Sequence, residues 1–308
     1  MTFMAARLGE LFSILSVLAF GFGGVAIAKA RKSGPGDGGA ILSVGLTALL
    51  SAALWVSTAQ ESQNLVGRPG ALVGLAWFAL SGLLATALAR SLYFLSVRDL
   101  GAIRGAAIKR AIPFFSVLFG VVFLGEILTS AKLGGLLLIA ISVAALVAVD
   151  LAGSGKSSAP AAEQIEPMGY IWGTASGLCY ASAYVARKLG LDLVPDGALG
   201  TFVGAMAAMG YYVLTALVSG RSRKAILSAL MARNIWGVAA ALCFAAGQIA
   251  NFYAIQYTAI STVGAIQSLE VFVSMLIASL LLRTERAPNL LTIAAAVVAT
   301  AGVLLVVA

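Results

Sequence analysis

Apolar residues along the chain gather into ten stretches of membrane-crossing length, parted by short polar connectors. About 20 consecutive apolar residues cross a hydrocarbon core as a helix, so each stretch is read as one span. Spans 1 to 5 are Gly9–Lys29, Gly38–Val56, Ala71–Leu95, Gly101–Leu124 and Leu133–Leu151; spans 6 to 10 are Met168–Arg187, Gly197–Val218, Ile235–Tyr257, Ser261–Leu282 and Asn289–Val307. Proline agrees with these cuts, because it breaks helix interiors. Pro35, Pro69, Pro160, Pro167, Pro195 and Pro288 fall between spans or at their edges, and Pro113 alone lies within one. Trp77, Trp172 and Trp236 near span starts and Trp55 near a span end fit interfacial anchors.

The second five spans echo the first five. At an offset of 158, residues 82–126 run without a gap against residues 240–284, and nine of those 45 pairs are identical, among them Phe94/Phe252, Phe114/Phe272 and Ser116/Ser274. Five is odd, so the second copy enters the bilayer upside down relative to the first, the plan of many carriers. The chain divides into a first repeat at 1–151, a linker at 152–167 and a second repeat at 168–308. The linker contains GSGKS, but a phosphate loop needs glycine where Asp150 stands and a preceding strand, so it reads as a flexible connector. Arg7 followed by an apolar run and Ala26-Ile27-Ala28 resembles a signal peptide; its counterpart at the start of the second half makes it span 1 instead.

Hydrophobic residues form 61% of the chain and charged ones 10%, which only a lipid-surrounded bundle accommodates. Histidine is absent, which excludes Ser–His or Cys–His catalysis, His-ligated zinc and a histidine relay. Cys179 and Cys243 lie mid-span and read as apolar filler. The net charge of +8 sits mostly in short connectors, where it orients the protein, so no nucleic-acid partner is expected. On the side of the termini fall five basic residues (Arg7, Arg68, Lys132, Arg187, Lys188), and eleven fall on the other. The positive-inside rule therefore puts the termini outside.

Span 4 reads Ile112-Pro113-Phe114-Phe115-Ser116-Val117-Leu118-Phe119-Gly120 and closes on Leu124-Gly125-Glu126. A helix ending in this LGE tripeptide, followed by a short turn and a glycine-containing helix, resembles the EamA-type half of the drug/metabolite transporter superfamily. Ser268-Leu269-Glu270 in span 9 is similar to that family's second half, and the resemblance covers essentially the whole chain. It departs at Phe20-Gly21, where many members carry Trp-Gly, and at Arg283-Thr284-Glu285 in place of LGE. The resemblance implies an all-α integral membrane fold, with two inverted five-helix repeats around a central cavity lined by spans 1–4 and 6–9. It also implies export of a small metabolite such as an amino acid, and termini in the cytoplasm.

A charge deep in a bilayer costs about 2.5–3.5 kcal/mol on insertion scales, so each invites a functional account. Arg90, Arg104, Lys109 and Arg110 are the basic residues within spans. Arg104 is near a span end and snorkels. Lys109 and Arg110 point about 100° apart, and Lys109 shares the small, partly polar face of Gly105, Pro113 and Ser116. Pro113 cannot donate to the Lys109 carbonyl, which predicts a bend and a free acceptor there. Glu270 is the one acid well inside a span and is the candidate coupling group for a proton or cation. Gln267, Glu270 and Ser274 form a polar stripe at helical spacing. The candidate substrate contacts are Lys109, Arg110, Arg90, Tyr93, Phe20, Tyr180, Tyr184, Gln248, Asn251 and Gln267. Ser176, Tyr180 and Tyr184 share one face, as do Ser16 and Phe20; Gln248 and Asn251 are repeat partners of Arg90 and Tyr93. The spacings Gly173-x-x-x-Gly177 and Gly200-x-x-x-Gly204 read as close helix packing.

Together these features predict a multi-pass protein of a bacterial inner membrane, monomer or homodimer, needing no cofactor. It would move a small polar or anionic metabolite by alternating access. A flippase for a phosphorylated or lipid-linked substrate is the competing carrier, and an integral membrane enzyme the competing class.

Overall fold

The computed structural model describes residues 3–32, 39–58, 69–100, 111–154, 166–220, 223–224, 234–281 and 290–307. Among them the regular structure is entirely helical. The helices are α1 (Phe3–Lys32), α2 (Gly39–Thr58), α3 (Ala71–Gly82), α4 (Arg90–Leu100), α5 (Ile112–Leu124), α6 (Ser130–Ser154) and α7 (Met168–Leu193). They continue as α8 (Gly197–Val218), α9 (Ile235–Tyr257), α10 (Ile260–Gln267), α11 (Glu270–Leu276) and α12 (Leu290–Val307). Two π-helical stretches intervene, Leu83–Ala89 between α3 and α4 and Ile277–Leu281 after α11.

Six helical runs are long and apolar enough to cross a membrane: Met4–Ala30, Ile41–Thr58, Ala71–Val97, Gly197–Val218, Ile235–Tyr257 and Ile260–Leu281. Shorter apolar helices cover Ile112–Leu124, Ser130–Ala145 and Ile293–Val307. The exposed side chains include large apolar ones on most of these helices, such as Leu72, Val218 and Leu290, the surface a lipid-facing belt requires. α7 is helical over its predicted span but more polar, since Tyr180, Tyr184, Arg187, Lys188 and Asp192 interrupt it.

The predicted ends of spans 7 and 8 coincide with α8 and α9, because Asp196 and Asn234 mark both starts. Asp196 Oδ1 accepts from the Leu199 N–H at 2.9 Å and Asn234 Oδ1 from the Trp236 N–H at 2.9 Å. Span 1 begins earlier, at Phe3, span 3 runs on through a π-helical stretch to Leu100, and three more spans also differ. Span 6 runs past Arg187 to Leu193, and chain direction changes only at Pro195. Pro113 is no mid-helix kink: α5 starts at Ile112, so proline occupies its first turn, where a missing N–H costs nothing. Span 9 is two helices, with Ser268 and Leu269 in a turn between α10 and α11, so Gln267, Glu270 and Ser274 are not one continuous stripe.

The chain resolves into two compact units, each drawing on both halves of the sequence. Unit 1 comprises Met1–Leu83, Ala186–Thr258 and Glu270–Ala287. Within it α1 packs along α9, and α2 and α3 pack on α8. Small residues make these approaches possible: a Cβ on Gly82 would overlap the Gly204 backbone, and one on Gly200 would strike Phe252 and Phe78. Lipid tails are as apolar as the side chains, so close backbone contact replaces hydrophobic burial as the cohesive force. Unit 2 comprises Leu84–Val185, Ala259–Leu269 and Pro288–Ala308. There α6 and α12 meet at Gly135 and Gly302, whose backbones are too close for a side chain on either, and Ser142 Oγ donates to the Ala295 carbonyl at 2.6 Å.

Candidate functional site

In unit 2, Arg90 opens α4 directly after the π-helical stretch. π turns are uncommon and concentrate at functional positions. The carbonyl of Ala89, the last π residue, accepts a hydrogen bond from Ser176 Oγ at 2.7 Å. That bond fixes α7 beside Arg90, and Gly169 of α7 packs on Asp99 and Leu100, so α4 and α7 run antiparallel. Arg90 is half-buried, and its Nη1 is fully buried with no hydrogen-bond partner. Tyr93 lies one turn along α4, and Tyr180 one turn beyond Ser176 on the same face of α7; both are half-buried, as is Tyr184.

One residue on from Ser176, Gly177 packs on Phe115 and Ile112, so the first turn of α5 rests on α7. On its other flank, Gly264 of α10 meets Ser116 Oγ and the Pro113 carbonyl. Ser116 Oγ donates to that carbonyl at 2.7 Å. Gln267, at the last turn of α10, is half-buried. Lys109, Arg110 and Arg104 lie outside the described residues.

The LGE tripeptide has a structural meaning here. Leu124 ends α5, and Gly125 takes a left-handed conformation (φ 65°) that side chains resist. The chain then turns so that the Glu126 N–H donates to the Gly120 carbonyl at 3.0 Å. Its carboxylate reaches the start of α10, where Oε1 accepts from the Ile260 N–H at 2.7 Å and Oε2 from the Ser261 N–H at 3.0 Å. The N-cap of α10 is Ala259, which offers no side-chain acceptor, so Glu126 caps the helix from another element. Glycine at 120 leaves room for this carboxylate, since a Cβ would lie 2.7 Å from Glu126 Oε2.

In unit 1, the sequence reading missed Arg187. It is 4% exposed, its Nη1 donates to Asn251 Oδ1 at 2.5 Å, and its guanidinium lies 4.6 Å from the centre of the Phe252 ring. Phe252 in turn meets Phe78 edge-on. Amide and aromatic face together stabilise a cation with little access to water. Asn251, a candidate contact, is thus fully buried and engaged. The other candidates of this unit are Phe20, Gln248 and Glu270. Phe20 packs against Gly247, whose carbonyl accepts from Ser16 Oγ at 3.0 Å, so the Ser16/Phe20 face serves α1–α9 packing. Gln248 is half-buried beside it. Glu270 is the first residue of α11, half-buried, and its carbonyl accepts from Ser274 Oγ at 2.8 Å. An acid at this point complements the positive end of the helix dipole.

The candidates therefore fall on both units: Arg90, Tyr93, Tyr180, Tyr184 and Gln267 on unit 2, and Phe20, Gln248, Asn251 and Glu270 on unit 1. Arg187 could have been found from spacing, because it continues the Ser176–Tyr180–Tyr184 stripe three residues on. Among the described residues no group of three or more Cys, Asp or Glu is placed to hold a metal ion. Cys179 and Cys243 are free thiols, each half-buried.

The EamA-like transporter family model matches this sequence twice, over residues 7–148 and 167–308. Among solved structures, one titled "Crystal structure of protein" is similar over 96% of this chain and 95% of its own, with a TM-score of 0.65 at 15% identity. At that identity the similarity speaks for the fold. No curated protein sequence matches the chain.

Proposed function

This chain belongs to the EamA-like transporter family, and from that premise we propose that it is a secondary transporter exporting a small metabolite with an anionic group, such as an amino acid. Ten spans, the second five inverted, enclose a central cavity lined by spans 1–4 and 6–9, and alternating access opens it to either side of a bacterial inner membrane. The repeats divide at the linker 152–167, and the carrier works as a monomer or homodimer.

One observation carries this reading. Helices α5 and α11 start at Ile112 and Glu270, which are 158 residues apart, the offset of the repeat. Both starts fall inside predicted spans. Helix starts within a span form the binding sites of many inverted-repeat carriers, because a half-helix N-terminus attracts anionic groups. The two starts differ in chemistry. The first turn of α5 holds no acid, whereas α11 opens on Glu270. A zwitterion such as an amino acid offers a carboxylate for basic groups and an amino group for Glu270. Glu270 is also the carboxylate placed to couple a proton.

Uptake into proteoliposomes tests the proposal with amino acids, organic acids, phosphorylated metabolites and quaternary amines. Amino acids or organic acids are expected to enter saturably, and Glu270→Gln to abolish accumulation driven by a pH gradient while exchange continues. Preferred carriage of quaternary amines would contradict the anionic substrate; movement of lipid-linked compounds alone would favour a flippase.

A further inference from the structure

The geometry assigns Arg90 as the anchor for the substrate's carboxylate or phosphate group, an inference that rests on the transport reading above. Several observations around Arg90 converge. Arg90 lies in a helical run apolar enough to cross a membrane, Ala71–Val97. Its Nη1 is buried without a hydrogen-bond partner, and no carboxylate among the described residues pairs with the side chain. The buried Nη1 carries a desolvation cost that no acceptor among the described residues offsets, and such intramembrane cations mark functional positions. At Arg187 the corresponding Nη1 donates to Asn251 Oδ1, and the guanidinium faces the Phe252 ring.

The backbone before Arg90 is also built for the purpose. A regular helix would set Arg90 in the register of its repeat partner Gln248, which sits in the uninterrupted helix α9. The π stretch Leu83–Ala89 accommodates more residues per turn, so Arg90 projects in a direction that α9 does not reproduce. Ser176 Oγ then holds the Ala89 carbonyl, locking the distortion one residue before the guanidinium. Tyr93 follows Arg90 by one turn of α4, and Tyr180 follows Ser176 by one turn of α7. A guanidinium offers a planar fork matched to the two oxygens of a carboxylate or phosphate. Bound there, the anion supplies the missing acceptor, so substrate and protein each relieve the other's desolvation.

The full-length protein, purified in detergent, is heated with millimolar L-amino acids, organic acids or inorganic phosphate, and uptake is measured in parallel. Compounds with a carboxylate or phosphate are expected to raise the wild-type melting temperature, and their amide or amine analogues to leave it unchanged. Arg90→Gln is expected to fold with equal or higher intrinsic stability, yet to bind those compounds at least tenfold more weakly, about 1.4 kcal/mol. Arg90→Met, which inserts into an apolar span more readily than the native residue, repeats the measurement if the glutamine variant folds poorly. Wild-type binding in either variant, no stabilisation of wild type by any anion, or failure of both variants to fold would overturn the assignment. Anion binding lost in the variants while wild type transports nothing would leave the site standing and defeat the transport reading instead.

Discussion

Arg187 and Asn251 show how a charge is tolerated inside a bundle. The guanidinium is 4% exposed and the amide fully buried, so each depends on the other for an acceptor or donor. A hydrogen bond to a charged group contributes about 1.5–3 kcal/mol, and its loss leaves a buried donor unsatisfied. Asn251→Leu should therefore lower the melting temperature of the purified protein clearly, and Gln248→Leu, one turn away and only half-buried, should lower it less. Equal losses in a thermal unfolding assay would contradict this account. At this scale the sequence was partly legible. Asn251 stands out as a polar group in an apolar run, whereas Arg187 reads as the last residue of span 6 and counts among the orienting charges. Hydropathy weighs each charge alike. Burial depends on which charges face a neighbouring helix, and the stripe spacing held that information.

Helix ends were legible wherever a local residue causes them. Asp196 and Asn234 cap α8 and α9 from within their own segments, and both boundaries follow from the letters. What caps α10 is not legible, because the partner lies 134 residues away in sequence. Glu126 supplies the acceptor that Ala259 lacks, and no local pattern announces a cap from another helix. Removing a cap costs about 0.5–2 kcal/mol. Glu126→Ala should fall in the upper part of that range, since two N–H groups lose their acceptors. Glu126→Gln should lose less, keeping one oxygen, and the exposed Glu166→Ala should change nothing. Thermal midpoints of the three variants decide it: equivalence of Glu126→Ala and Glu166→Ala would mean the cap contributes nothing.

On the scale of the whole molecule, duplication was the most readable property, because an offset of 158 recurs in hydropathy, in identities and in the starts of α5 and α11. The division into units was not readable. Each unit combines segments from both halves, and the unit boundary in span 9 falls at the break between Leu269 and Glu270. Such interleaving is set by long-range small-residue contacts such as Gly82 with Gly204, whose partners composition cannot assign. Burial of Arg187 also removes it from the orienting charges, leaving four on the side of the termini against eleven. The central claim is alternating access by one carrier site, and counterflow tests it most directly. Proteoliposomes are preloaded with an unlabelled compound that enters in the uptake assay, and labelled entry is followed with no ion gradient. A carrier predicts a transient accumulation above equilibrium that scales with preload and saturates, whereas labelled entry that merely equilibrates, indifferent to preload, would contradict the account.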